Sequence, residues 1–419
     1  MGKSIINTKL QLPCGITLNN RLVKSAMTER ISNRKYEPTN AHERLYEKWS
    51  DSGAGLLITG NVMIDRIHLE SSGNVCFDDE NMLPKLKKWA SVGQKNGNQI
   101  WVQISHAGRQ SNKFSALRPL APSAVQLKKF GLFGKPRVMT ETDIENTIKG
   151  FIKAAKITKE AGFTGLQIHA AHGYLISQFL SPLTNKRTDK WGGSIFNRSR
   201  LLLTIIREIR KVVGPTFPIA VKLNSSDFQK GGFTEEESLE VIKMLDNEKI
   251  DLLEISGGTY EKVVFFLMNE DKIRKSTRQR EAYFIDFSKK VRAISNLPLL
   301  ITGGFRSYDF CNAVLENGEL DLIGMARPFI TNIESIKEFL KGEIPNLDNL
   351  VLRTGISQFE DAAEAGFYAR QLIRLSKGKK VKPNMSAFLC SNFLILNELY
   401  MAISKNLILK RFTTIKKRN

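Results

Sequence analysis

Eight short apolar runs recur along this chain, and segments with helical periodicity separate them. The runs are Arg21–Ser25, Gly55–Thr59, Ile100–Ser105, Thr164–Ile168, Ile219–Leu223, Asp251–Ser256, Pro298–Thr302 and Leu320–Met325. They are near-continuously apolar rather than alternating, the pattern of parallel strands buried on both faces. Between them, residues 41–52, 84–96, 143–161, 195–213 and 284–295 read as helices. Thr234 and Glu237 form a capping box opening a helix that runs to about Glu248. Ser307 caps a further helix and Gly318 ends it, while Gly97, Gly162 and Gly214 stand where C-terminal glycines belong. Eight strands with intervening helices predict an α/β chain, a (β/α)8 TIM barrel, over residues 1–345. Residues 346–419 predict a C-terminal helical extension: a helix from Phe359 to Ser376, a basic link around Lys377–Pro383, and a terminal helical part with a basic tail.

Several classes fall away on composition and motif. No GxGxxG or GxxxxGK[ST] is present, which argues against a Rossmann dehydrogenase or a P-loop NTPase. Cys14, Cys76, Cys311 and Cys390 are far apart, so zinc ribbons, iron–sulfur clusters and disulfide scaffolds are not expected. The net charge of +21 favours anionic ligands, yet no six-residue basic run marks a specific nucleic-acid site. The most apolar stretch, Met385 to Leu409, is broken by Ser386, Asn392, Asn397, Glu398 and Lys405, so no transmembrane segment is expected. The N-terminal residues lack the apolar core of a signal peptide, and the expected location is cytoplasmic.

In a closed barrel the C-terminal strand ends meet on one face, where such folds put chemistry. These ends carry Ala26-Met27-Thr28, then Gly60-Asn61, then Gln103 with His106 and Arg109. His169, His172 and Tyr174 follow, then Lys222, Gly303-Gly304-Phe305 and Ala326-Arg327. Two glycines and an arginine after the seventh and eighth runs suit a phosphate, held by bare backbone N–H groups and a cation. Thr28, Gln103 and Lys222 offer a hydroxyl, an amide and an ammonium, a set that suits the polar edge of a flat heterocycle. His169, His172 and Tyr174 then face what lies above it. Together these features suggest an enzyme using flavin mononucleotide.

The segments His169–Leu175, Gln178–Pro182, Arg187-Thr188-Asp189 through Asn197-Arg198, and Val102–Arg109 resemble the Old Yellow Enzyme family of flavin-dependent ene-reductases and NADH:flavin oxidoreductases. The resemblance implies bound FMN, NADH or NADPH as co-substrate, and an α,β-unsaturated carbonyl compound as the small-molecule acceptor, with oxygen taking its place when none is present. It implies that Ala26, Met27 and Thr28 line the isoalloxazine, that Gln103 reads its pyrimidine ring and that Lys222 charges it near N1 and O2. By the same resemblance His169 and His172 hold the substrate's carbonyl oxygen and Tyr174 supplies the proton. The chain departs from the pattern at Lys222, where many members have arginine, and at Asn61, where others have a small residue. Phe305 offers the phosphate only its backbone N–H.

Other readings of the same residues remain at this point. His169, His172 and His106 could be three zinc ligands, although no metal is the expectation. Lys222 could pair with Glu254 on the next strand. His106 and Arg109 read as structural or at the loop rim. A flavin-dependent RNA-modifying barrel would suit the charge but would need a cysteine in the catalytic loop, and Cys76 and Cys311 do not occupy such a context. A binding-only barrel would not need His169, His172, Tyr174 and Lys222 intact. The basic terminal part leaves a homodimer open.

Overall fold

A computed structural model describes residues 4–128, 131–257, 284–348, 350, 352 and 357–405. The basic tail beyond Lys405 lies outside them. Among the described residues all eight expected runs are strands: β1 (Leu22–Lys24), β2 (Leu56–Met63), β3 (Gln99–Ser105), β4 (Gly165–Ala170), β5 (Ile219–Asn224), β6 (Leu252–Ser256), β7 (Leu299–Thr302) and β8 (Leu322–Met325). Every neighbouring pair is parallel and β8 returns to pair with β1, closing the barrel. A closed sheet leaves no strand edge exposed.

The outer layer comprises α1 (Asn40–Asp51), α2 (Leu83–Gly93), α3 (Glu141–Glu160), the short α4 (Leu175–Leu180), α5 (Ile195–Val213), α6 (Glu235–Asn247), α7 (residues 284–292) and α8 (Tyr308–Glu316). The expected Thr234–Glu237 capping box opens α6. Two others were not expected. Thr140 and Asp143 start α3 two residues earlier than its apolar periodicity suggests, and Thr39 with His42 starts α1. His42 there accepts the Thr39 N–H at Nδ1, 3.1 Å away.

Two apolar cores sit on the two faces of the sheet. The larger fills the space between strands and helices. The smaller lies inside the barrel: Val23, Leu56, Ile58, Trp101, Ala220, Leu252, Leu300 and Leu322 point inward, and Leu12 and Leu18 of an N-terminal hairpin close it from below. Gly165 is required here, because a Cβ at that position would stand 2.5 Å from the Trp101 indole nitrogen.

After β8 come α9 (Pro328–Thr331), α10 (Ile336–Lys341), α11 (Ser357–Ser376), α12 (Ala387–Ser391) and α13 (Phe393–Ser404). α11 packs on the barrel's outer layer: Arg44 of α1 donates to the Ser376 carbonyl at its end, 2.9 Å away.

Candidate active site

Residues two apart on a strand share a face, so several strands that bury an apolar residue inside the barrel place a polar one nearer their C-terminal end. On β6 the inward series is Leu252, Glu254, Ser256; on β5 it is Ala220, Lys222, Asn224; on β4 it is Gly165, Gln167, His169. Register puts His169 beside Lys222, and Lys222 beside Glu254.

The polar residues form one connected network around the fully buried Glu254 carboxylate. Lys222 Nζ donates to Oε1 at 2.8 Å and the Thr302 hydroxyl to the same oxygen at 2.6 Å, while Gln167 Nε2 donates to Oε2 at 2.7 Å. Gln103 Nε2 donates to Gln167 Oε1 at 2.7 Å, and the Ser25 and Thr302 hydroxyls lie 2.7 Å apart. A buried carboxylate needs this many donors to remain without water. The Lys222–Glu254 pairing that the sequence offered as an alternative is therefore present: the ammonium is half of a buried ion pair, and a ligand above it meets a compensated charge. Gln103 likewise spends an N–H on Gln167.

Above the network stand the two histidines and the tyrosine. His169 lies 5.1 Å from His172 and 4.7 Å from Tyr174, ring centroid to centroid, edge-on in both cases. Burial, with His172 and Lys222 nearby, holds the His169 imidazole well below its ordinary pKa. Burial and Lys222 do the same for His172. Both rings are neutral at pH 7. His169 Nδ1 accepts the Ala171 N–H at 3.3 Å, which assigns the ring proton to Nε2. His172 adopts a positive φ of 61°, unfavourable for a residue with a Cβ. Three contacts hold it there. Its N–H donates to Asn224 Oδ1 at 3.2 Å, its carbonyl accepts from Gln110 Nε2 at 2.8 Å, and its Nε2 lies 2.6 Å from the Ser256 hydroxyl. The Tyr174 hydroxyl accepts from Asn61 Nδ2 at 3.3 Å.

A third group lies where the loops after β7 and β8 meet. Gly303 has φ 126° and open space where a Cβ would stand, and Gly304 follows at φ 80°. Phe305 is buried, its ring stacked on Phe310. Arg327, beside Ala326, pairs with Glu364 of α11 at 2.6 Å and lies over the Tyr368 ring. Burial lowers the Arg306 pKa, and Arg327 adds to that, so two guanidiniums share this corner. Ala26, Met27 and Thr28 occupy the loop after β1, all half-buried.

His106 does not join His169 and His172, so the zinc trio is not formed. It stacks on His68 instead, 4.3 Å between centroids, and both face Asp65 Oδ2, at 3.4 Å from His106 Nε2 and 2.9 Å from His68 Nδ1. Asp65 Oδ1 accepts the backbone N–H groups of Ile67 and His68. Two histidines and an aspartate this close could hold a cation. However, a metal-bound imidazole donates its other ring N–H, whereas His106 Nδ1 accepts the Gly108 N–H at 3.0 Å. The donor set fits a closed hydrogen-bonded unit rather than a metal site. Arg109 is buried, its backbone N–H donating to Gln178 Oε1 at 3.2 Å.

The sequence profile described as the NADH:flavin oxidoreductase / NADH oxidase family matches residues 11–343, the barrel almost in full. The chain belongs to this family. An NADH-dependent flavin oxidoreductase of Neonectria sp. (strain DH2) is 35% identical over 349 residues, covering 77% of this chain and 45% of its own length. Another, of Talaromyces variabilis, is 34% identical over 346 residues, covering 77% and 83%. The chain thus spans less than half of the first relative and most of the second. A solved 2-naphthoyl-CoA reductase complex superposes with a TM-score of 0.75 at 27% identity, over 81% of this chain and 52% of that one.

The family's FMN fits the residues present. Gly303, with open space at its Cβ position, Gly304 and the Phe305 N–H, with Ala326 and Arg327, would hold its phosphate, and Gln103 and Lys222, with Thr28 on the loop after β1, would face its ring system. Sequence reasoning missed Ser25, Gln167, Asn224, Ser256, Thr302 and Arg306 as members of the site. Three had a usable signal: Gln167 precedes His169 by two residues, and Asn224 and Ser256 follow Lys222 and Glu254 by two.

Proposed function

We propose that this chain is an FMN-dependent oxidoreductase that reduces the C=C bond of α,β-unsaturated carbonyl compounds with NADH or NADPH, and oxygen in their absence. The observation that carries the reading is the pair of neutral imidazoles, His169 buried against Tyr174 and His172 half-buried beside it. Neutral donors stabilise a developing enolate oxygen without adding a charge that must be desolvated in the ground state.

Bound FMN supplies the redox step, passing two electrons from NADH or NADPH to the acceptor. The protein's part is positioning and proton transfer. His169 Nε2–H and the His172 ring receive the carbonyl oxygen. Ser256 fixes His172: when its hydroxyl donates to Nε2, the ring proton sits on Nδ1. Tyr174 gives its phenolic proton to Cα as Cβ takes hydride, and Asn61 orients the hydroxyl. Ala26, Met27 and Thr28 line the ring system. The chain divides into an FMN-binding barrel over 1–345 and a helical extension over 346–419, and acts in the cytoplasm; a homodimer is compatible with this.

Anaerobic titration tests the reading. NADH or NADPH bleaches the flavin band and an enone such as cyclohexenone restores it. In Tyr174→Phe, restoration slows about a hundredfold while bleaching is unchanged. No restoration across a varied enone panel would sink the ene-reductase claim.

A further inference from the structure

α13 is turned inside out for a helix on a soluble barrel. Ile395, Leu396, Leu399, Tyr400 and Ile403 fall on one face at helical spacing, and that face is outward. Leu396 is 61% exposed and Tyr400 69%, and Phe388 of the adjoining α12 is 72% exposed. The polar residues point inward. Glu398 bonds the Ser71 hydroxyl, accepts the Ser72 N–H at 2.8 Å and the Asn112 amide at 3.4 Å. Lys405 donates to the Ser32 hydroxyl at 2.8 Å and lies 4.1 Å from the Tyr36 ring centroid. These contacts fix which face looks out, so the apolar stripe is held exposed.

The chemistry around the stripe is cationic. Lys377, Lys379, Lys380 and Lys382 precede α12. From Lys377 onward Glu398, which faces inward, is the one acidic residue in the sequence. Beside the stripe a groove of about 410 Å³ is lined by Arg370, Arg374 and Lys382 together with Met385, Leu389 and Phe393. No described helix is long and apolar enough to cross a membrane, so spanning is not what this stripe serves.

We propose that the outward face of α12–α13 docks on an anionic lipid bilayer surface. The apolar stripe enters the headgroup–acyl boundary, and the flanking lysines and arginines meet the lipid phosphates and carboxylates. An exposed apolar patch of this kind needs an occupant. A second copy would bring two strongly basic flanks together, whereas an anionic surface is complementary in both charge and polarity.

Flotation of the FMN-loaded full chain tests this, using vesicles of phosphatidylcholine alone or with about 30 mol % phosphatidylserine. Partition onto the serine-containing vesicles is expected to be about tenfold or more higher, and to fall as salt rises. Leu396→Gln/Tyr400→Gln and Lys379→Glu/Lys380→Glu each reduce it about tenfold, with flavin reduction by NADH unchanged. The proposal is overturned if both vesicle types retain the chain equally, or if the Leu396→Gln/Tyr400→Gln protein binds like the wild type, which would mean the rest of the chain covers the stripe. It is also overturned if vesicles bind nothing while that variant dissociates a dimer seen by sedimentation, which would give the face to a second copy.

Discussion

The barrel's C-terminal face carries two histidine pairs that look alike in sequence and differ in surroundings. His68 and His106 share the Asp65 carboxylate, whose other oxygen takes two backbone N–H groups. Among the described residues His169 and His172 have no carboxylate against them; their neighbours are Lys222, each other, Tyr174 and a serine hydroxyl. The first pair is satisfied within the protein. The second is kept neutral, and His172 is held in an unfavourable backbone conformation. A buried imidazole supplied with its own acid serves the structure. One left beside a cation, with a ring N–H to spare, suits a ligand.

The largest effect should come from removing the second pair. His169→Ala/His172→Ala is expected to slow enone reduction about a thousandfold, the loss typical of oxyanion donors, and to abolish binding of a phenol, whose oxygen mimics an enolate. Stopped-flow reoxidation by cyclohexenone measures the first effect and spectral titration the second. If both survive, the two pairs do not differ in function.

Removing the acid from the first pair should act on stability instead. Asp65→Ala deletes four hydrogen bonds and leaves two stacked imidazoles without their acceptor, a loss of about 3 kcal/mol. Urea unfolding reads that loss, while kcat/KM per bound flavin stays within about threefold. The His106 carbonyl accepts the Leu175 N–H at 3.0 Å, next to Tyr174. A hundredfold fall in activity at unchanged stability would therefore show that the cluster positions the catalytic loop, and the contrast between the pairs would fail.

The sequence made the barrel legible because its signals are periodic and local. Eight apolar runs name eight strands, and Thr234 with Glu237 names a helix start. The site was legible where residues stand at strand ends, as His169, His172 and Tyr174 do. It was obscure where partners come from different strands. Beyond the Lys222 pairing the sequence already offered, Glu254 collects Gln167 from β4 and Thr302 from β7, and only the folded barrel brings those together. His106 was separated from His169 by fold geometry rather than by any local feature: it follows β3, and the loop carrying Asp65 and His68 after β2 reaches it first. The outward stripe of α13 was hidden for a related reason. Its heptad-like spacing is that of a packed helix, and the inward pull of Glu398 and Lys405 decides its orientation.

Acid titration separates the two pairs with the smallest effect, and its sign follows from the shifts. Burial depresses the folded pKa of His169 and of His172, while an unfolded histidine titrates near 6.5. Between those values the unfolded chain binds protons that the folded chain refuses. Their contribution to stability is therefore complete above about pH 6.5 and is lost as pH falls below it, at about 1.4 kcal/mol per pH unit for each histidine. Asp65 behaves in a different window. Burial opposes its ionisation, but the bonds from His106 and His68 outweigh that and hold its carboxyl well below the usual carboxylate range. Its contribution is present above about pH 4 and disappears only below it. His42, lowered by burial to about 3, and His106 share the first window, so some acid sensitivity persists without His169 and His172. Chemical unfolding of the wild type and of His169→Gln/His172→Gln at intervals from pH 7 to pH 4.5 should show the variant's stability falling less steeply, by up to about 2.7 kcal/mol per pH unit. Equal slopes would mean that the pair is protonated in the folded chain, and neutral donors would no longer describe the site.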